Sequence, residues 1–387
     1  MYRIEGEVFN RVKEKATIVE MTDDEINAKY KRGEIRIVTE QARYPVKSIK
    51  SMLDGGDYKL NPEYQRRKRW DNGRKSRLIE SFIMNVPLPP VFLYEYDYSK
   101  YEVMDGLQRL TTIYDFYSGN FALENLGYWK ELEGRKYHEL PEEVQKGIDR
   151  RYISSIVLLE ETAKTPEEAE ELKQIVFERL NSGGEKLTAQ ETRNALYNGN
   201  FNQLCIKLSK NEKFRVMWNI PLERDGEDEL LKSEAYRKMD DVELVLRFFA
   251  YRFIDILSGT VEEFLDEYLK QANAFSIETI QKLEKLFNDT VDLTYGIFAE
   301  DAFVSPKYER KLTKPQKTIY DPLMQSMAKH LDSKKKLLSV AANIRDNKYD
   351  NAIEIDGERL FDGRNTIPSI VKIRIEYFDN LLAPYLI

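Results

Sequence analysis

Residues 103–119, "VMDGLQRLTTIYDFYSG", place an acid, a glycine, an amide and a guanidinium where an apolar run gives way to a helical pattern. Gly106 would allow a tight turn there, and the first backbone amides of the new helix would point at an anion. Arg109 could then clamp a phosphate, while Asp105 could hold a magnesium ion or orient water. Gln108 could position a ribose, a base or the attacking water. The same residues also fit a simpler interpretation, in which Asp105 caps the helix and Arg109 forms a surface ion pair.

A second candidate for phosphate chemistry is the basic run "YQRRKRWDNGRKSR", residues 64–77. It holds seven basic side chains against the single acid Asp71, which is a local charge of +6 in a chain whose formal net charge is −7. Guanidinium groups bind phosphate oxygens through parallel hydrogen bonds, so the run predicts contact with a polyphosphate or a DNA backbone. A solvated helix start with ordinary surface charge is the alternative. The candidate DNA-binding residues of this run are Arg67, Lys68, Arg69, Arg74 and Lys75.

A third block, "FERLNSGGEKLTAQETRNAL", surrounds a glycine-rich turn with polar side chains at residues 177–196. Residues 181–184 have the composition of a helix C-cap, and Thr188 with Glu191 forms a capping-box pattern. These local roles explain most of the block, and a contact with substrate is the additional hypothesis. The residues of this hypothesis are Arg179, Asn181 and Arg193.

The composition excludes several classes of protein. The single cysteine, Cys205, rules out an internal disulfide framework and a thiolate zinc cluster, which fits a reducing cytoplasm. Only His138 and His330 are available for a histidine-based hydrolase, and they lie far apart in the sequence. No stretch is apolar enough to predict a membrane span or a secretory leader, so we expect a cytoplasmic protein without membrane contact. The Walker, GxGxxG, HExxH and GxSxG motifs are all missing from the sequence.

The hydrophobic periodicity predicts an α+β protein whose strands lie in the first half. Predicted strands are "IRIVTEQARYPV", "VFLYEYD", "YEVMD" and "YISSIVLLEE", at residues 35–46, 91–97, 101–105 and 152–161. Helices are predicted after the capping box of Thr22 and Glu25, over residues 46–56 and 71–85, from Gly106, from Thr165 and from Thr188. Beyond about residue 200 the strand signals fade and amphipathic segments follow one another, which predicts a helical C-terminal region.

Three sequence blocks together resemble a known family. They are "NPEYQRRKRWDNGRKSRLIESFIMNVPLPPVFLYE", "VMDGLQRLTTIYDFYSGNFAL" and "FERLNSGGEKLTAQETRNALYNGNF", and they resemble the DGQQR-motif family, the N-terminal domain of GmrSD-type modification-dependent restriction systems. The resemblance covers about residues 35–255. It implies a ParB/sulfiredoxin-like α/β core, in which the motif opens a helix and contributes to nucleotide binding and NTP hydrolysis. The implied domains are an N-terminal extension (1–34), the nucleotide-binding domain (35–200) and a helical domain (201–387).

The resemblance also assigns roles residue by residue. The motif falls on residues 105–109, with Leu107 in place of its first glutamine, a departure that weakens any role for an amide at that position. The implied catalytic residues are Asp105, Gln108 and Arg109, with Asp105 also holding Mg²⁺. The resemblance implies that three further segments contribute residues to nucleotide binding. The basic block contributes its glutamine and arginine, the "FxRLN" block contributes its polar residues, and the later "ExR" contributes its arginine. The implied nucleotide- and phosphate-binding residues are Gln65, Arg66, Gly106, Arg109, Arg179, Asn181 and Arg193.

Full restriction enzymes of this type add a nuclease domain with a histidine-centred metal motif, which the surroundings of His330 do not match. The resemblance therefore implies a nucleotide-binding, NTP-hydrolysing sensor or regulatory protein of an anti-phage restriction system. Its implied partners are a nucleoside triphosphate, DNA that carries a modification, and a separate nuclease subunit, with a homo-oligomer left open. The alternatives are a non-hydrolysing DNA-binding or protein-interaction module, and a metal-dependent nickase that uses the ParB-like core.

Overall fold

The computed structural model describes residues 4–10, 21–32, 37–60, 70–159, 165–180, 187–304, 314–349, 354–355, 358–361 and 367–386. The chain divides into two compact units. We name Lys15–Leu187 the sheet unit, and Met1–Glu14 with Thr188–Ile387 the helical unit. The predicted domain boundaries, after residues 34 and 200, stay predictions, because compactness alone does not delimit a domain that folds independently.

The sheet unit is built on a mixed five-stranded sheet. Its strands are β1 (Thr39–Pro45), β2 (Tyr58–Lys59), β3 (Val91–Asp97), β4 (Lys100–Asp105) and β5 (Tyr152–Leu158). The spatial order is β1-β5-β3-β4-β2. β1 is antiparallel to β5 and β3 is antiparallel to β4, whereas β5 with β3 and β2 with β4 are parallel pairs. The prediction that β3 and β4 are neighbouring strands is confirmed.

Helices cover both faces of this sheet. Apart from α1 (Asp23–Arg32), which is exposed over residues 23–31, they are α2 (Ile49–Asp54), α3 (Asn72–Met84), α4 (Leu107–Tyr117), α5 (Glu142–Asp149) and α6 (Pro166–Leu180). One face carries Leu93 and Val103, which are fully buried in a cluster with Ile79 of α3 and Ile113 of α4. Side chains alternate along a strand, so Glu102 points to the opposite face, where α6 packs against β4.

The helical unit contains the predicted run of helices. They are α7 (Ala189–Leu196), α8 (Asn200–Leu208), α9 (Glu212–Met217), α10 (Glu227–Lys232), α11 (Glu234–Arg237), α12 (Asp240–Ala250), α13 (Val261–Ala272), α14 (Ile277–Phe298), α15 (Lys317–Lys329), α16 (Lys334–Ser339), α17 (Ala341–Asp346) and α18 (Pro368–Leu382). The strand pair β6 (Glu354–Ile355) and β7 (Glu358–Arg359) is a small addition. The predicted α+β class with a helical C-terminal region is confirmed. In the described part of the chain, no helix is both long and apolar enough to cross a membrane.

The local capping patterns form as predicted. Thr22 and Glu25 exchange hydrogen bonds ahead of α1, and Thr188 with Glu191 does the same at the start of α7. Thr165 Oγ1 accepts from the Glu168 amide, with proline at the first position of α6. Each pattern satisfies backbone amides that a helix start leaves without partners, so these helix starts depend on residues adjacent in sequence.

Charged side chains bridge the helices inside the helical unit. Arg247 of α12 donates from Nε to Asp321 Oδ1 of α15 at 3.1 Å and from Nη2 to the Tyr251 hydroxyl at 2.6 Å. Burial alone would lower the pKa of Arg247, but the Asp321 carboxylate outweighs that effect and raises it. Glu7, from the N-terminal segment of this unit, pairs in the same way with Arg252 at 2.7 Å.

We predict that Asp321→Ala destabilises the helical unit by about 3–5 kcal/mol, because it leaves the Arg247 guanidinium buried without its carboxylate. The Arg247 and Asp321 side chains are each only 6% exposed. The measurement is the urea unfolding midpoint followed by circular dichroism. Asp228→Ala, which removes an exposed carboxylate in α10, is the control and should leave the midpoint within about 0.5 kcal/mol of the parent. Equal midpoints for the two variants would contradict the prediction.

Candidate functional site

The turn between β4 and α4 requires glycine for two independent reasons. Gly106 adopts φ 95° and ψ 8°, in the left-handed region that side chains disfavour. A Cβ atom at this position would also lie 2.5 Å from Val91 Cγ1 and 2.9 Å from Val91 Cβ. The tight turn predicted from the sequence is therefore present, and β3 packs directly against it.

Asp105 does not cap α4. The cap position belongs to Gly106, which supplies no side-chain acceptor. The Asp105 carboxylate instead accepts from Arg109 Nη2 at 2.7 Å. The simpler interpretation of the motif is therefore wrong in making Asp105 the helix cap. It is right that Arg109 forms an ion pair.

This ion pair has one buried and one accessible partner. The Arg109 side chain is 10% exposed, whereas that of Asp105 is 54% exposed. Arg109 Nη1 also donates to the carbonyl oxygen of Pro89, just before β3. Burial lowers the pKa of Arg109, and the Asp105 carboxylate opposes that shift. The guanidinium thus fastens the end of β4 to the segment that leads into β3, while the carboxylate remains open to solvent.

Gln108 links the motif to the end of the basic run. Its Oε1 accepts from the Trp70 amide at 3.1 Å. The Trp70 ring lies under the Arg74 guanidinium, 4.9 Å from the ring centroid. Lys75 Nζ binds Asp115 Oδ2 of α4 at 2.8 Å. The described end of the basic run is therefore attached to the helix that the motif opens.

The remaining candidates of that run lie outside the described residues. They are Gln65, Arg66, Arg67, Lys68 and Arg69. Asn181 also falls outside the described part of the chain, whereas Arg179 lies exposed in the last turn of α6. The nucleotide contacts of Gln65, Arg66, Arg179 and Asn181 stay predictions, as do the DNA contacts of Arg67, Lys68 and Arg69.

Arg193 belongs to the helical unit, where its guanidinium is fully engaged. Nε donates to Asp266 Oδ1 at 2.6 Å, Nη1 to Glu243 Oε2 at 3.1 Å, and Nη2 to the Glu262 carbonyl at 3.1 Å. The side chain is buried and joins α7, α12 and α13. These contacts define a structural role, and its predicted contact with a nucleotide stays a prediction.

Several partners in the sheet unit carry no local sequence signal. Lys173 of α6 pairs with Glu102 of β4 at 2.5 Å, and both side chains are largely buried. Trp70 and Pro89 lie within the first of the three sequence blocks, but no local signal marks them as partners of the motif residues. The four-residue spacing of Asp105 and Arg109 was the only signal in the sequence for their pairing.

Two further features bear on ligand binding. No group of three or more histidine, cysteine, aspartate or glutamate side chains among the described residues is arranged to hold a metal ion. The helical unit contains a cavity of about 270 Å³ with Ile254, Leu286 and Ile375 in its wall. Four of the charged groups at this cavity form two ion pairs, Lys372 with Asp255 and Lys329 with Asp379.

A comparison with known protein families gives a match over most of the sheet unit and the first residues of the helical unit that follow it. Residues 49–198 match the family described as GmrSD restriction endonuclease, N-terminal domain. The resemblance drawn from the three sequence blocks is confirmed for this segment, and the chain from residue 199 onwards lies outside the match. No curated protein and no solved structure gives a match.

We predict that Gly106→Ala destabilises the sheet unit by about 2–4 kcal/mol, since it combines a left-handed backbone with a clash against Val91. Thermal unfolding followed by circular dichroism measures the effect. The matched control is Gly147→Ala in α5, where an added Cβ meets no atom within 4 Å. That control should be neutral or stabilising by up to about 1 kcal/mol, because alanine is the better helix former. A Gly106→Ala variant as stable as the parent would contradict the account of this turn.

Proposed function

Since residues 49–198 match the N-terminal domain of GmrSD restriction endonucleases, which indicates a role in a modification-dependent restriction system, we propose that the chain binds and hydrolyses a nucleoside triphosphate there. It would act as the sensor or regulatory component, with DNA as a partner and cleavage assigned to a separate nuclease subunit. The observation that carries the proposal is the turn itself. A solvent-accessible Asp105 is held by a buried Arg109 beside a helix start that no described side chain caps.

The start of α4 supports phosphate binding through its backbone. The amides of Arg109 and Leu110 both donate to the Gly106 carbonyl at 3.0 Å. The amides of Leu107 and Gln108 come before these and have no side-chain cap. A helix N-terminus with open amides carries a partial positive charge, and the Arg109 guanidinium lies beside it with its own charge partly offset by the paired Asp105 carboxylate. Together they suit the oxygens of a triphosphate.

Asp105 has the exposure and the support that a catalytic carboxylate needs. The ion pair with Arg109 uses Oδ2. The other oxygen is available to orient the attacking water or to bind Mg²⁺, which usually takes one or two protein carboxylates together with substrate phosphates and waters. When bound, that ion would neutralise charge on the phosphates during transfer. Arg109 fixes the carboxylate's direction, and Gln108 holds the adjoining Trp70 segment near the phosphates.

The direct test measures phosphate release from each of the four nucleoside triphosphates, with and without magnesium and modified DNA. We expect magnesium-dependent release from at least one of them, with a rate that responds to DNA. A purified chain that releases no phosphate from any of the four under these conditions, while remaining folded, would overturn the hydrolysis.

We predict that Asp105→Ala lowers turnover by about a hundredfold while nucleotide affinity changes by less than about threefold, because the carboxylate acts mainly on the transition state. Arg109→Ala should weaken both, since it removes a positive charge and the support of Asp105. Asp97→Ala removes an exposed carboxylate paired with Lys100 in the same sheet and serves as the control. Unchanged turnover in both motif variants would reduce the motif to a structural turn.

A second candidate function is a non-hydrolysing DNA-binding or protein-interaction module. The observation that favours it is the cation–π pair of Trp70 and Arg74 at the end of the basic run, because such pairs form at nucleic-acid surfaces without any need for hydrolysis. The same phosphate-release assay separates the candidates. DNA binding without phosphate release supports the module, and release that responds to DNA supports the sensor.

A nickase built on the same core is the weakest of the alternatives. Asp105 would need a second carboxylate for a two-metal site, and the neighbouring Glu102 is already paired with Lys173 on the opposite face of β4. We therefore predict that the chain alone does not linearise or nick plasmid DNA with magnesium or manganese. Agarose gels of modified and unmodified plasmid provide the measurement. Cleavage that disappears in Asp105→Ala would favour the nickase instead.

A further inference from the structure

Two adjacent aromatic side chains lie exposed on the sheet unit. Tyr128 is 79% exposed and Trp129 is 39% exposed, in the segment between α4 and α5. Single exposed aromatic residues are ordinary on protein surfaces. A neighbouring pair whose backbone is fixed by specific hydrogen bonds calls for an explanation, because those hydrogen bonds do not bury the rings.

The acceptor of those hydrogen bonds is the buried carboxylate of Glu80 in α3. Its Oε1 accepts from the amides of Tyr128 at 2.7 Å and Trp129 at 2.9 Å, and its Oε2 accepts from the Gly127 amide at 3.1 Å. Burial would raise the pKa of Glu80, but the three amide hydrogen bonds outweigh that effect and lower it. Three consecutive amides bound to one carboxylate hold the backbone of the aromatic pair in a single orientation.

The same segment follows α3 over about two helical turns. The Glu124 amide donates to Ser76 Oγ at 2.9 Å, and a Cβ on Gly73 would lie 3.3 Å from Asn125 Nδ2. Residues 124–129 thus run beside the helix from its first turn to Glu80. The basic run of residues 64–77 leads directly into this helix.

Two basic residues belong to the elements that meet at Glu80, Arg77 to α3 and Lys130 to the segment of the aromatic pair. Arg77 lies one helical turn before Glu80, and Lys130 follows Trp129 directly. Both are exposed, and no described residue forms an ion pair with either of them. The exposed acids Glu124 and Glu131 lie close by in the sequence and limit how many phosphates this surface can hold.

We propose that Tyr128 and Trp129, positioned by Glu80, form a stacking platform for unpaired bases of single-stranded DNA, with Arg77 and Lys130 contacting the adjoining phosphates. The inference rests on the proposed function for its choice of DNA as the partner. Exposed aromatic faces stack on any base, and arginine and lysine bind the backbone. Duplex DNA keeps its bases stacked on one another and cannot use the platform. Since few phosphates are contacted, stacking supplies most of the affinity.

The test measures binding of a fluorescein-labelled 20-nucleotide single strand, and of its duplex, to the full-length chain by anisotropy. Tyr128→Ala and Trp129→Ala should each weaken binding of the single strand by about fivefold or more and leave duplex binding unchanged. Tyr98→Ala is the matched control, because it removes an equally exposed tyrosine at the β3–β4 turn of the same unit. Trp129→Phe should retain binding, since the phenyl ring still stacks.

Glu80→Gln tests the positioning role. It keeps the side chain's shape but removes the charge that binds three amides, so it should weaken binding of the single strand while both aromatic side chains are still present. Intrinsic fluorescence provides a second measurement. Quenching of tryptophan fluorescence by the unlabelled single strand should be strong in the parent and should be largely lost in Trp129→Phe, which leaves Trp70 and Trp218 as the only tryptophans.

Three outcomes would overturn the platform. The first is that the aromatic variants lose as much binding of the duplex as of the single strand. The second is that Tyr98→Ala weakens binding of the single strand as much as Tyr128→Ala does. The third is that the parent binds neither DNA. The last outcome would remove DNA as the occupant of this surface. Phosphate release from nucleotides is measured separately, so failure of hydrolysis leaves this result intact, and failure of the platform leaves the hydrolysis intact.

Discussion

The structure of the sheet unit depends on one ion pair, Arg109 with Asp105, which spans the turn at Gly106. Arg109 is buried, and a carboxylate and hydrogen-bond acceptors must offset the desolvation cost of a buried guanidinium. Asp105 and the Pro89 carbonyl supply them, which joins the end of β4, the start of α4 and the entry to β3. Gly106 makes this geometry possible, because any side chain there would collide with Val91. Gln108 extends the connection to Trp70 and so to α3.

The same ion pair divides its two residues between structure and chemistry. Arg109 is buried and its hydrogen bonds go to other groups of the protein, whereas about half of the Asp105 side chain is exposed to solvent. A carboxylate that is both oriented and accessible is what a water-activating or magnesium-binding group requires. The proposed hydrolysis therefore requires little structural change in the turn.

The helical unit uses buried arginines for a different purpose. Arg193, Arg247 and Arg252 each pair with acids from other helices or from the N-terminal segment, and they hold distant parts of the chain together. Such pairs add little to net stability, since the desolvation of both charges offsets most of their attraction. For Arg193 this explains a buried arginine without any ligand. Glu80 in the sheet unit is the anionic counterpart, with backbone amides in place of a cation.

Local patterns in the sequence determined the elements, and tertiary contacts determined what their side chains do. The bounds of β3 and β4, the capping box at Thr188 and the glycine turn at residue 106 follow from neighbours in the sequence, because strands, caps and turns are stabilised within a few residues. The burial of Arg109 depends on Pro89, twenty positions away, and that of Arg193 on Asp266, seventy-three positions away. Whether a charged side chain faces a ligand or a buried partner depends on which distant element packs beside it, and no spacing within one segment encodes that choice.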